Sequence, residues 1–62
     1  MDVDTQEFAS RLVGQHGLDT AIEMATEAIA RCNQRNDLYR LSVWREIRRN
    51  LRARKAEREQ AN

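Results

Sequence analysis

Apolar residues recur along this chain at the three- and four-residue spacing of α-helices, in three stretches separated by polar breaks. The clearest stripe lies in the middle stretch and consists of Ala21, Ile22, Ala25, Ala28, Ile29 and Cys32. Apolar and polar residues never alternate over a useful length, and the chain has no proline. The pattern therefore predicts an all-α protein of three helices.

The first helix is predicted over residues 5–16. Asp4 is a suitable N-cap, and Glu7 follows three residues later, as in a capping box. Val3 and Phe8 have the spacing of a hydrophobic staple across this cap. The predicted buried face consists of Phe8, Ala9, Leu12 and Val13.

Gly17 is predicted to end the first helix. In the expected Schellman motif, Gly17 takes a left-handed conformation and Leu18 folds back on Val13. The second helix is then predicted over residues 20–34, with Asp19 as its N-cap.

The third helix is predicted over residues 38–55 after a polar turn at residues 33–37. Asp37 is the expected N-cap, and Ser42 is a rival that would leave residues 38–41 as a separate turn. The predicted buried face consists of Leu41, Trp44, Ile47 and Leu51, with Val43 flanking it.

No large apolar residue follows Leu51, although residues 52–62 can stay helical, since Ala, Arg, Lys, Glu and Gln all favour helix. Residues 53–62 are therefore expected to form a frayed or projecting tail. The predicted fold is a single domain over residues 1–62, a three-helix bundle with a long, arginine-rich, partly projecting C-terminal helix.

A chain of 62 residues buries only about 60% of its unfolded surface, so its stability needs support. A single cysteine excludes an internal disulfide. One histidine and one cysteine are too few for a structural zinc site. Close helix packing and self-association remain, and we expect a homodimer.

The charge is divided between the two halves of the chain. Residues 1–30 carry six acids and one base, a net charge of −5, whereas residues 31–62 carry ten bases and four acids, a net charge of +6. Ten of the eleven bases are arginines. This composition favours binding of phosphate or carboxylate, with codon usage in a GC-rich genome as the alternative explanation.

The candidate partner-binding residues lie on the third helix. Four arginines fall within about a quarter of the helix circumference, and one lysine extends the charge toward the C-terminal end: Arg45, Arg48, Arg49, Arg52 and Lys55. Glu46 is the only acid between Arg40 and Arg54, so pairing within the helix cannot neutralise them. Three interpretations remain open. The cluster binds an acidic partner, or it meets the acidic half of another subunit, or it is a solvated face.

No catalytic constellation is found. His16 lies beside the start of the second helix, and Cys32 lies near its far end. The fourteen helical residues between Leu18 and Cys32 span about 21 Å. A nucleophile and its base must be within about 3 Å, so the two residues cannot form such a pair within one subunit. Cys32 is expected in the core, and His16 at a helix end. Glu23 and Glu27 are expected to form a solvated acidic face. We therefore expect no enzyme and no cofactor or metal.

Nucleic acid is the alternative partner. A helix-turn-helix requires a basic second helix after a short turn. Here the turn before the basic helix is longer than usual and lacks glycine, so only nonspecific binding is expected from the charge. No apolar stretch approaches the length that crosses a bilayer, and no secretory signal is expected. The unpaired thiol favours a reducing cytoplasm.

Two stretches, "FASRLVGQHGLDTA" and "NDLYRLSVWREIRRNL", flank an alanine-spaced helix. Together they resemble small all-helical proteins that are common in alphaproteobacterial genomes. In that group a turn ending in Asp leads into a helix with Trp and Ile three residues apart, as Asp37, Trp44 and Ile47 are here. The chain differs at Asn36, where glycine is often seen, and in its arginine-rich end. The resemblance covers most of residues 8–51 and implies an all-helical fold, but no activity.

These observations predict a small helical protein-interaction module, homodimeric, whose basic third helix engages an acidic partner surface. A nucleic-acid-binding accessory or regulatory protein is the alternative.

Overall fold

The computed structural model describes residues 4–60, which form three α-helices and no strand. α1 spans Thr5–His16, α2 spans Leu18–Gln34 and α3 spans Leu38–Gln60. With 23 residues, α3 is about 35 Å long. The predicted all-α three-helix bundle is confirmed.

The start of α1 agrees with its predicted cap. Asp4 Oδ1 accepts a hydrogen bond from the Glu7 backbone N–H at 3.1 Å. The Glu7 carboxylate pairs with Arg11 at 3.3 Å, one turn further along the helix. The predicted staple between Val3 and Phe8 lies outside the described residues, because Val3 precedes them.

Gly17 alone connects α1 to α2. Its φ is 84° and its ψ is 161°; its N–H donates to the Val13 carbonyl at 2.9 Å, and its own carbonyl accepts from the Ala21 N–H at 3.0 Å. α2 therefore begins at Leu18, and the predicted Schellman ending and the predicted Asp19 cap are both wrong. The physical reason is that Gly17 combines its positive φ with an extended ψ of 161°, whereas the glycine of a Schellman motif has a left-handed helical ψ of about 47°.

A Schellman motif occurs instead at the end of α2. The Asp37 N–H donates to the Cys32 carbonyl at 3.0 Å, and the Asn36 N–H donates to the Asn33 carbonyl at 3.2 Å. Asn36 has a φ of 56°, which is the left-handed conformation that this motif requires. The turn between α2 and α3 is therefore only residues 35–37.

Asp37 caps α3, as predicted. Its Oδ1 accepts a hydrogen bond from the Arg40 backbone N–H at 3.1 Å, and its carbonyl accepts from the Leu41 N–H at 3.0 Å. The rival cap, Ser42, lies inside the helix. Residues 38–41 are thus the first turn of α3 and not a separate turn.

The hydrophobic core joins all three helices. Its buried members are Ala9, Leu12, Leu18, Ala21, Ala25, Ile47 and Leu51. Ile47 and Leu51 are the largest fully buried side chains, and burial of each contributes about 1.5–3 kcal/mol to stability. Ala21 and Ala25 present little side chain, so that α2 can lie close to its neighbours.

Trp44 was predicted in this core but is only half-buried, as is Val43, which was predicted to flank the buried face. Phe8, also predicted on a buried face, is 37% exposed. The Phe8 and Trp44 rings contact each other edge to face, with centroids 5.6 Å apart and an angle of 87° between the planes. These three residues therefore lie at the margin of the core.

α2 and α3 are antiparallel, since Asp19 near the start of α2 pairs with Lys55 far along α3. α1 lies across α3. Phe8 contacts Trp44, while Gln6 and Ser10 contact Arg54, about 15 Å further along α3. α1 therefore covers the middle of α3 and leaves its first turns less covered.

Polar contacts hold α3 beyond Leu51. Arg54 Nη2 donates to Ser10 Oγ at 2.8 Å and to the Gln6 carbonyl at 3.2 Å, while its Nε donates to Asn50 Oδ1 at 2.8 Å. Arg54, which belongs to the tail predicted at residues 53–62, thus contacts α1, because its long guanidinium arm reaches that helix. Fraying of the predicted tail stays a prediction.

Candidate protein-interaction surface

Four arginines of α3 lie side by side. Because they are spaced three and four residues apart, the helix brings them to one side, where they line a shared shallow depression of about 310 Å³. We call this set the α3 basic surface; it consists of Arg45, Arg48, Arg49 and Arg52. Arg48 is half-buried and the other three are exposed. The predicted arrangement of these four side chains is therefore what the structure contains.

The charge of the α3 basic surface is mostly uncompensated. Arg49 lies 3.7 Å from Glu46, with 83% of the arginine side chain and 59% of the glutamate side chain exposed. Such an exposed pair is worth at most about 1 kcal/mol. Within residues 4–60, no carboxylate lies within ion-pair distance of Arg45, Arg48 or Arg52.

Lys55, the fifth predicted partner-binding residue, does not line the same depression. Its Nζ lies 3.1 Å from Asp19 Oδ1 of α2. This pair differs from the pair with Glu59 that helical spacing also permits. This pair joins α3 to α2. Because Asp19 offsets the positive charge of the Lys55 ammonium group, Lys55 adds little to the positive electrostatic potential of the α3 basic surface.

The residues considered for catalysis are not brought together. Cys32 is buried near the end of α2, as expected, whereas His16 is exposed in the last turn of α1, beside the start of α2. Glu23 and Glu27 are both exposed. In the part of the chain that the structure describes, no group of three or more His, Cys, Asp or Glu residues is placed to hold a metal ion.

The sequence reasoning missed an apolar groove between α1 and the first half of α3. It is lined by Phe8, Tyr39, Arg40, Val43, Trp44 and Ile47. Tyr39 is 64% exposed. One signal was available: Tyr39 lies off the stripe of buried residues in the third helix, so the pattern already left this aromatic ring without a place in the core.

No protein-family model matches this chain, and no curated protein or solved structure is significantly similar to it. The resemblance to small alphaproteobacterial helical proteins therefore stays a prediction. Among residues 4–60, none of the helices combines the length and the hydropathy needed to cross a bilayer.

Proposed function

We propose that the protein is a small homodimeric interaction module and not an enzyme, and that its α3 basic surface binds an acidic surface of a protein partner. The observation that carries the proposal is the clustering of Arg45, Arg48, Arg49 and Arg52 around one depression with a single exposed acid beside them. Arginine is enriched at protein interfaces, where its planar guanidinium group donates two parallel hydrogen bonds to one carboxylate.

A cytoplasmic location is part of the proposal. The only cysteine of the chain, Cys32, is an unpaired and buried thiol, which suits a reducing compartment.

Nonspecific binding to nucleic acid is the alternative function. The turn at residues 35–37 is as short as that of a helix-turn-helix, which favours this alternative. The antiparallel packing of α2 and α3 opposes it, because the helices of that motif cross at about 90–120°. The α3 basic surface alone supports contacts with phosphates that carry no sequence information.

The proposal is tested by photo-cross-linking in cells. A photoreactive residue at exposed Ala56, one turn beyond Arg52, lies beside the α3 basic surface. The expected product is a cross-link to a protein that nuclease treatment does not remove. A nuclease-sensitive product would support the alternative function instead.

Two variants of equal net charge then test the residues, with the captured protein purified as the probe. In the first variant Arg45, Arg48, Arg49 and Arg52 are all replaced by Gln. In the matched control the four replaced arginines lie outside this surface: Arg11, Arg31, Arg35 and Arg58. Three of them, all but Arg58, lie beside the apolar groove, so binding is measured per chain with the captured protein in excess, which makes the result independent of dimerisation. The first variant should stay folded and bind at least about tenfold more weakly, since four charged contacts of a few tenths of a kcal/mol each are lost. Equal weakening by both variants would contradict the proposal.

A further inference from the structure

The apolar groove is a second candidate interaction surface, and it shares no residue with the α3 basic surface. Its volume is about 270 Å³, and its walls include Phe8 and Tyr39, which are 37% and 64% exposed. The Trp44 ring also lines it. Aromatic side chains grouped around a depression of this kind are typical of the anchor region of a protein interface.

Depressions of opposite charge adjoin the two walls of the groove. At the α1 wall, Phe8 is shared with a depression that is also lined by Asp4, Glu7 and Arg11. At the α3 wall, Arg40 and Trp44 are shared with a depression whose other charged lining residues are Arg31, Arg35 and Asp37. We call these the acidic end and the basic end of the surface, since the first has two acids and one base and the second has three bases and one acid.

A surface with unlike ends is complementary to itself. In a dimer with two-fold symmetry the same patch meets itself, and an axis through the middle of the groove places the acidic end of each copy against the basic end of the other. A uniformly acidic partner would match the basic end alone. We infer that two copies of this chain form a homodimer through the apolar groove; this inference rests on the homodimer of the proposed function.

The groove and the α3 basic surface lie on different sides of α3. On a helical wheel the α3 residues of the groove and the four arginines occupy separate arcs that adjoin at Trp44 and Arg48; Val43 and Arg45 are about 160° apart around the helix axis. A dimer formed through the groove therefore leaves both copies of the α3 basic surface free for a partner, so the two functions can be tested separately.

Sedimentation equilibrium of the full chain tests the groove. Tyr39→Ser removes an exposed aromatic ring from the groove, and Leu38→Ser is the matched control, because Leu38 is 72% exposed at the same end of α3 but lines no part of the groove. Tyr39→Ser should raise the dimer dissociation constant roughly 30-fold, as loss of an interface hot spot does. Leu38→Ser should leave it unchanged.

A charge exchange tests the orientation of the two copies. Glu7→Arg places a base at the acidic end, and Arg40→Glu places an acid at the basic end. Each variant alone should dimerise more weakly than the wild type, since like charges then meet twice across the axis. An equimolar mixture of the two variants should form a heterodimer as strong as the wild-type dimer, because both contacts across the axis again join opposite charges. Far-UV circular dichroism checks that each variant is folded, and Arg35→Glu replaces Arg40→Glu if the latter is not.

Three results would overturn the inference. The first is a wild-type chain that stays monomeric up to about 1 mM, where association is worth only about 4 kcal/mol. The second is an equal effect of Leu38→Ser and Tyr39→Ser. The third is a mixture of the charge variants that dimerises no better than either one. None of these results affects partner binding by the α3 basic surface, which Tyr39→Ser should retain.

Discussion

Asn36 has a backbone conformation that most side chains avoid. At a φ of 56° the left-handed region costs an ordinary L-residue roughly 1–2 kcal/mol, and asparagine tolerates it better than most. The conformation is needed here because the N–H groups of Asn36 and Asp37 turn back to the last carbonyls of α2. Asn36 thus decides how sharply α2 turns into α3.

The identity of residue 36 should therefore set the stability of this turn. Asn36→Gly should raise the free energy of unfolding by up to about 1 kcal/mol, and Asn36→Ala should lower it by about 1 kcal/mol, because alanine has a β-carbon and no local hydrogen-bonding side chain. Urea denaturation of the three proteins measures the order. Equal free energies of unfolding for the glycine and alanine variants would show that the positive φ of residue 36 does not determine the stability of the turn.

Single residues also show how far the sequence predicts the fold. The caps at Asp4 and Asp37 were predictable because each depends on a side chain and a backbone group three residues away. The partial exposure of Trp44 was not, because its helical stripe is correct but its burial depends on where α1 lies across α3. The short link at Gly17 was missed because two different endings are compatible with the same glycine.

At the scale of helices, α3 is held in two different ways. Its middle is held by Ile47 and Leu51, which are buried with the core. Its later turns are held by polar arms, with Arg54 reaching α1 and Lys55 reaching α2. The four arginines of the α3 basic surface were predictable from their spacing along one helix, whereas the contacts of Arg54 and Lys55 depend on neighbours distant in the sequence.

Arg54 should therefore matter more to stability than its charge suggests. Arg54→Ala should lower the free energy of unfolding by about 1–2 kcal/mol, since a charged group loses hydrogen bonds to α1 and to Asn50. Arg54→Lys should recover little of this, because an ammonium lacks the guanidinium fork. Thermal unfolding measures both, and Arg58→Ala is the control, since Arg58 is exposed in the last turn of α3. A loss in Arg58→Ala as large as in Arg54→Ala would contradict the role of the Arg54 contacts.

At the scale of the whole molecule, three helices share one small core of side chains, and none of them can bury its apolar face alone. α1 contributes Ala9 and Leu12 to this core, yet it is joined to α2 through Gly17 alone. The position of α1 on its own chain therefore depends on the backbone conformation of that one residue.

Straightening the chain at Gly17 would change which molecule α1 packs on. If Gly17 became helical, α1 and α2 would fuse into one rod over residues 5–34, about 45 Å long. α1 would then be carried away from its own α3 and could be buried only against the α3 of a second chain. This exchange is three-dimensional domain swapping, which substitutions in hinges promote.

Gly17→Ala should produce such swapped dimers, because a β-carbon disfavours the φ of 84° and favours helix. Gly14→Ala is the control: a β-carbon at Gly14 meets no atom within 4 Å, so this change should stabilise α1 by about 0.5–1 kcal/mol without swapping. Size-exclusion chromatography after refolding at high concentration and dilution distinguishes the products. A swapped dimer should persist on dilution because its exchange requires unfolding, whereas a dimer formed through the groove should dissociate; a Gly17→Ala protein that returns at once to monomer would count against swapping.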